Sequence, residues 1–216
     1  MGRTSDGRER LLAGAARLLG QRPYNAIGVA EICAAAGVHK GSFYYYFDSK
    51  QALALAVIDA HWEVQGAQWT EILNAPVGVR ERLHNLFTLT AEVQTDSLRE
   101  TGAITGCLFG NLALEMRGQD DEIRDRLQEI FEQQLDLVEA ALLEATAAGE
   151  LPVTLVPARD SARALVAQLE GLVLFAKVFN DPAQLDRLWM TSMNILGTID
   201  ASSMTSAPTD GVSASH

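Results

Sequence analysis

Apolar residues recur at helical spacing along most of the chain, and no stretch alternates in the manner of a strand. Leu11, Ala15 and Leu18, with Leu12, Ala16 and Leu19, make an apolar face on a helix over residues 3–20, where Thr4, Ser5 or Asp6 is placed to cap. Pro23 then holds Arg22 out of helix and marks a turn. A second helix begins near Gly28, with Val29, Ile32, Cys33 and Ala36 at i, i+3, i+4 and i+7, and Gly37 stands where a left-handed residue ends it. The next segment carries Tyr44, Tyr45 and Tyr46 between Phe43 and Phe47. At helical period the two phenylalanines face one side and Tyr45 roughly the other. A helix, a glycine turn and a short polar-faced helix form the pattern of a helix-turn-helix, whose second helix enters the major groove.

Beyond it, Asp48 or Ser49 is placed to cap a long helix ending near Leu73, with Gln51 as a capping-box partner of Asp48. The pattern predicts further helices over 79–95, 107–116, 122–148, 160–179 and 183–199, with a polar loop over 95–106. The last two are apolar on more than one face, so they need covering; Leu169, Leu172, Phe175, Leu188 and Trp189 are the expected anchors of a two-fold interface. Residues 201–216 are Ser, Thr, Ala, Pro and Gly with scarcely any large apolar side chain, the composition of a disordered tail. The expected fold class is all-α: a three-helix head over 1–48, a helical body over 49–200 and the tail over 201–216.

Charge divides along the same line. Residues 1–50 hold seven Lys/Arg against four Asp/Glu, a balance of +3, and the remainder holds ten against twenty-four, a balance of −14. A basic head on an acidic body concentrates attraction for a polyanion at one end. No apolar run is long enough to cross a bilayer, and the Arg- and Glu-bearing N-terminus is not a signal or transit peptide. Cys33 and Cys107 are too few for a disulfide framework, so both are expected reduced and the protein cytoplasmic.

Catalytic chemistry has little support. No phosphate loop, nucleophile elbow or metal-ligand pair occurs, the four histidines lack ligand spacing, and neither a cofactor nor a metal is expected. Asn111 and Glu115 share a face of the helix after Cys107, where polar groups either orient a small ligand or are satisfied locally. Cys107 stands near that helix's start, where a thiol pKa falls, although cysteine also packs as a small hydrophobe.

The segment 27–53, IGVAEICAAAGVHKGSFYYYFDSKQAL, resembles the DNA-binding region of the TetR family of bacterial transcriptional regulators, sharing the AGV turn, the G-x-x-Y-x-x-F helix and the following lysine. The resemblance implies that Lys40, Gly41, Tyr44 and Tyr45 reach bases, that Ser42, Tyr46 and Lys50 hold phosphates, and that Phe43 and Phe47 face the core. Gly28 stands where the family commonly has a capping Thr, and His39 where it often has Ser. The resemblance further implies a homodimer joined through its last two helices, binding double-stranded operator DNA and released from it by a small-molecule inducer. The segment around Cys107 is similar to G-C-L segments of members that respond to electrophiles or oxidants. The expected ligand site lies near Phe87, Cys107, Asn111 and Phe175. The expected function is therefore a repressor released from a palindromic operator by a small molecule or electrophile; the other reading is a non-inducible or architectural DNA-binding dimer.

Overall fold

A computed structural model describes residues 3–115 and 121–197. The expected tail, 201–216, and the end of the helix expected over 107–116 lie outside the described residues. Nine α-helices and no strand occur among the described residues. The head holds α1 (Arg3–Gln21), a 3₁₀ turn (Tyr24–Ala26), α2 (Val29–Ala36) and α3 (Lys40–Tyr46). The body holds α4 (Lys50–Leu73), α5 (Val79–Thr101), α6 (Leu108–Glu115), α7 (Asp121–Ala147), α8 (Ala158–Phe179), a second 3₁₀ turn (Pro182–Arg187) and α9 (Leu188–Ile195).

The head is tied at its turn. Gly37 sits at φ 62°, and Val38 N–H returns to Cys33 O at 2.9 Å, closing α2 with a left-handed cap. Arg10 and Arg17 of α1 reach across to Gly37 O (3.3 Å) and Ala35 O (3.1 Å), satisfying carbonyls that α2 leaves open at its end. α4 is capped by Ser49, whose hydroxyl accepts from Ala52 N–H at 3.0 Å; Gln51 makes no capping box and donates instead to Glu122 of α7.

α5 corrects the loop expected over 95–106, because the helix continues to Thr101 and ends at Gly102, φ 77°. Polar composition hid a solvent-facing helix whose hydroxyls turn inward: Thr95 and Thr101 donate to Ala91 O and Ser97 O, each 2.8 Å away, and Arg99 pairs with Asp96. Buried Arg82 fixes the α4–α5 turn, donating to Leu73 O (3.1 Å) and Val77 O (2.8 Å) and forking onto Glu144 of α7. The helix expected over 183–199 is split by the 3₁₀ turn that follows Pro182. Leu114, an apolar residue of α6, is 76% exposed.

One core does not respect the expected boundary at residue 48. Leu11, Ile32, Phe43 and Phe47 of the head pack in the same cluster as Leu53 and Ile58 of α4, Phe109 and Leu112 of α6, and Ile123 and Ile130 of α7. A second core joins α4, α5, α7, α8 and α9 around Trp69, Leu83, Phe87, Leu142 and Leu165. The expected interface anchors Leu169 and Leu188 belong to this second core and are spent within the chain. Exposed apolar side chains remain on α8 and α9 nonetheless: Leu174, Phe175, Val178, Phe179, Met190 and Ile195.

Phe109 is fully buried at the junction, with its ring edge-on to His61 (5.2 Å) and Trp62 (6.1 Å) of α4. Phe109→Ala is expected to destabilise the fold by about 3–5 kcal/mol in urea denaturation. A loss below about 1 kcal/mol would show that head and body do not share a core.

Candidate functional site

The helix α3 presents its outward face at the tip of the head. Phe43 and Phe47 are buried, while His39, Lys40 and Gly41 are exposed and Tyr44 and Tyr45 are 57% and 73% exposed. His39 occupies the cap position but makes no side-chain cap bond. Tyr44 stands edge-on to Phe43 at 5.2 Å, and Tyr45 edge-on to Tyr46 at 5.0 Å. Tyr46 in turn lies on α1 at Gly7, where an added Cβ would sit 2.5 Å from its hydroxyl. Glycine at position 7 thus lets a ring press onto α1, and that ring props Tyr45. The sequence offered no sign of this, since Gly7 reads only as a weak helix former.

The head's cations divide by employment. Arg10 and Arg17 hold the turn, Arg22 pairs with Glu31 and donates to Ala26 O, and Arg8 lies over the Phe47 ring at 5.4 Å. Lys50, expected at a phosphate, donates to Tyr24 O (3.1 Å) and Ile27 O (3.2 Å) and sits 4.0 Å over the Tyr24 ring. Among the described side chains, Lys40 alone of the head's lysines and arginines makes no hydrogen bond, ion pair or ring contact. Lys40, Gly41, Tyr44 and Tyr45 therefore form one open face, with Ser42 and Tyr46 half-buried at its edge and Lys50 behind it.

Two of the body's cavities meet at α6. One, of about 510 Å³, lies among α6, α7 and α8 and is largely apolar, with Leu114, Phe131, Leu135, Val166 and Leu174 in its wall. The other, of about 530 Å³, lies among α1, α4, α5, α6 and α8, and offers His61, Gln65, Gln68, Thr90, Gln94 and Ser97. Gly106, Cys107, Asn111, Glu170 and Val173 line both, so these five residues form the partition. Of the expected ligand residues, Cys107 and Asn111 are in this partition. Phe87 is buried in the second core, and Phe175 stands on the outer face of α8; neither lines a cavity.

Within the partition, Asn111 accepts from Lys177 Nζ at 2.7 Å and donates to Thr105 O at 2.9 Å. Burial holds the Lys177 ammonium below its ordinary pKa, opposed by the charges of Glu115 and Cys107. Glu170 comes close to α6 only because residue 110 is glycine: a Cβ there would lie 2.9 Å from its Oε2. Burial pushes the Glu170 carboxyl up, opposed by a hydrogen bond from the Cys107 thiol. Cys107 Sγ also accepts from Gly110 N–H at 3.5 Å. The expected lowering of its thiol pKa at the helix start does not occur. Burial pushes it far up, the Glu170 charge adds to this, and the Gly110 and Phe109 N–H groups oppose too weakly. Glu115, which sequence grouped with Asn111, turns to the head and accepts from Asn25 N–H at 3.3 Å.

Comparison with known proteins agrees with this geometry. Residues 11–57 match the family model for bacterial regulatory proteins of the tetR family, and residues 79–191 match that for the tetracyclin repressor-like C-terminal domain. The HTH-type transcriptional repressor DhaR of Mycobacterium sp. (strain GP1) is 30% identical over 181 residues, covering 83% of this chain and 87% of that one. The transcriptional regulator AcuR of Cereibacter sphaeroides is 36% identical over 163 residues, covering 74% and 71%. Among solved structures, the reduced form of E. coli NemR superposes with a TM-score of 0.78 at 28% identity, covering 90% of this chain and all 100% of that one. A regulatory protein TetR from Rhodobacter sphaeroides gives 0.77 at 29%, covering 88% and 98%. With a helix-turn-helix head matched by one model and the body by another, the chain belongs to the tetR family of bacterial regulatory proteins and is a DNA-binding transcriptional regulator.

Proposed function

We propose that the protein is a cytoplasmic, homodimeric repressor that binds a palindromic operator through α3 and leaves it when a small molecule or electrophile occupies the body, with no catalytic turnover of its own. The observation that carries this reading is the position of α6. Its Cys107 and Asn111 end walls both cavities, while Glu115 at its other end touches the head and Phe109 and Leu112 share the head's core. An occupant that moves α6 by a fraction of an ångström therefore acts on the head directly. The long helix α4 runs from the same head into the second core and carries His61 and Gln65 into the α5-side cavity, so it is a second lever. Switching from 1:99 to 99:1 takes about 5.5 kcal/mol of differential binding, divided between two subunits.

In this reading the head, 1–48, reads the operator and the body, 49–200, dimerises and binds the effector. Lys40, Gly41, Tyr44 and Tyr45 meet base edges, with Ser42, Tyr46 and Lys50 toward the phosphates; Lys50 does so with whatever its two carbonyl partners leave free. The partner copy covers the apolar face of α8 and α9, where Phe175 and Val178 replace Leu169 and Leu188 as central anchors. An enzyme reading finds no acid, base and nucleophile converging on a substrate-sized site beyond the Cys107–Glu170 contact.

Three substitutions in the head separate reading from holding. Tyr45→Ala is expected to cost about 1–3 kcal/mol of operator affinity and to relax sequence preference. Lys40→Ala should lower operator affinity, relax sequence preference and flatten the salt dependence, because it removes a base contact and a counterion-releasing charge together. Lys50→Ala should lower the melting temperature together with affinity, because its ammonium ties α4 to the 3₁₀ turn. Operator titrations at several salt concentrations, with thermal melts alongside, test all three; undiminished affinity in Tyr45→Ala and Lys40→Ala would remove α3 from the interface.

The parent chain is expected to scatter light at twice its 23.4 kDa mass. Phe175→Asp with Val178→Asp should give the single-chain mass and lose operator affinity while keeping helical content. A parent chain that remains monomeric with operator present would overturn the dimer.

A further inference from the structure

One wall of the α5-side cavity does not belong to the body. Arg17 and Gln21 of α1 line it together with Val93 and Ser97 of α5, whereas no residue of the head lines the α7-side cavity. The end of α1 reaches the loop before α6, where a Cβ added at Gly20 would lie 3.9 Å from Thr105 Cγ2. Arg17 is the one lysine or arginine among the residues lining this cavity. It enters none of the described ion pairs, and its described hydrogen bond runs to Ala35 O, 3.1 Å away at the end of α2. The same guanidinium therefore borders the cavity and holds the helix-turn-helix turn.

Resting on the reading of the body as the effector site, we propose that the α5-side cavity takes a neutral, apolar-bodied molecule whose carbonyl oxygen draws the Arg17 guanidinium away from Ala35 O. The occupant carries a hydroxyl or amide donor as well. Ala35 O then loses its tie to α1, at the end of a helix whose last carbonyls have no partner within it. Of the two α1 arginines that hold the turn, Arg10 on Gly37 O remains. The head thus senses occupancy at its own first helix, ahead of any movement of α4 or α6.

Three features select this class of occupant. Gln65 of α4 lines the cavity, and its Oε1 is buried without a hydrogen-bond partner. A buried amide oxygen left in that state is costly until a donor reaches it, so the occupant brings an O–H or N–H. Charge opposes an anion, because Asp96, Glu100 and Glu170 outnumber Arg17 in the wall. A cation would leave the guanidinium where it is, whereas a neutral carbonyl oxygen offers it the same bond that Ala35 O does. Trp69, Leu89, Leu108 and Val173 supply the apolar remainder of the lining.

The test uses the full-length dimer carrying Cys33→Ser and Cys107→Ser, so that one introduced cysteine takes a label. Val93→Cys sets the label in the α5-side cavity, and Ala113→Cys sets it in the α7-side cavity. Each is labelled to completion with iodoacetamide, which adds a neutral amide, or with propyl methanethiosulfonate, which adds an apolar group of similar length. The amide on Val93→Cys should weaken operator binding about tenfold relative to its unlabelled form, while the propyl group and both labels on Ala113→Cys should not. Arg17→Ala should show that loss before labelling and lose nothing more after it, because the two changes act on one bond. An amide that weakens binding equally in Arg17→Ala, or a propyl group as effective as the amide, would overturn the Arg17 route and leave a ligand-released regulator standing. Release by the Ala113→Cys labels alone would do the same. Labels without effect in either cavity would overturn the effector reading itself. Thermal melts of the labelled dimers report folding separately.

Discussion

The burial of Phe109 and Leu112 in a cluster that also contains Leu11, Phe43 and Phe47 is the constraint on which the other features rest. Close-packed interiors transmit displacement because they have little free volume to absorb it. Two helices of seven and eight residues, α3 and α6, are thus joined through side chains rather than through the backbone. Neither is long enough to be stable alone, and each takes its position from the shared cluster. The open face of α3, proposed to read DNA, and the cavity wall are in this sense two surfaces of one core.

Arg82 does for the base of the body what that core does for the top. Its fork onto Glu144 is exposed on the carboxylate side and adds modest stability. Its bonds to Leu73 O and Val77 O matter more, because they tie the buried guanidinium to both ends of the turn. The turn is thereby fixed between α4 and α5, two walls of the α5-side cavity.

Much of the head was legible in the sequence. The i, i+3, i+4, i+7 pattern over 29–36, Gly37 and the Phe43/Phe47 spacing each have a single local physical cause, and each sits where the pattern places it. What escaped was set by distant partners. Thr95–Thr101 reads as a loop because its polar side chains bond their own helix and not a core. Leu169 and Leu188 look like interface anchors until the second core is known to hold them. Cys107 shows the same limit most clearly: its place at a helix start was visible, whereas burial by distant helices, with the Glu170 charge adding to it, reverses the effect on its thiol. Sequence reading missed Glu170, whose one signal is a lone carboxylate on an otherwise apolar stretch of α8.

The division of labour among the head's cations bears on how copies of the protein distribute over a chromosome. Nonspecific affinity grows with the number of cations free to displace counterions from phosphates. Among the described side chains, Arg10, Arg17, Arg22 and Lys50 are held to their own backbone or to Glu31, Arg8 lies over the Phe47 ring, and Lys40 stands free. The acidic body adds repulsion everywhere except at the tip. Such a molecule is expected to dwell only briefly on DNA that it does not recognise. Fewer copies are then needed in the cell to keep one operator filled, and a copy that lets go of its site is lost to solution rather than to neighbouring sequence.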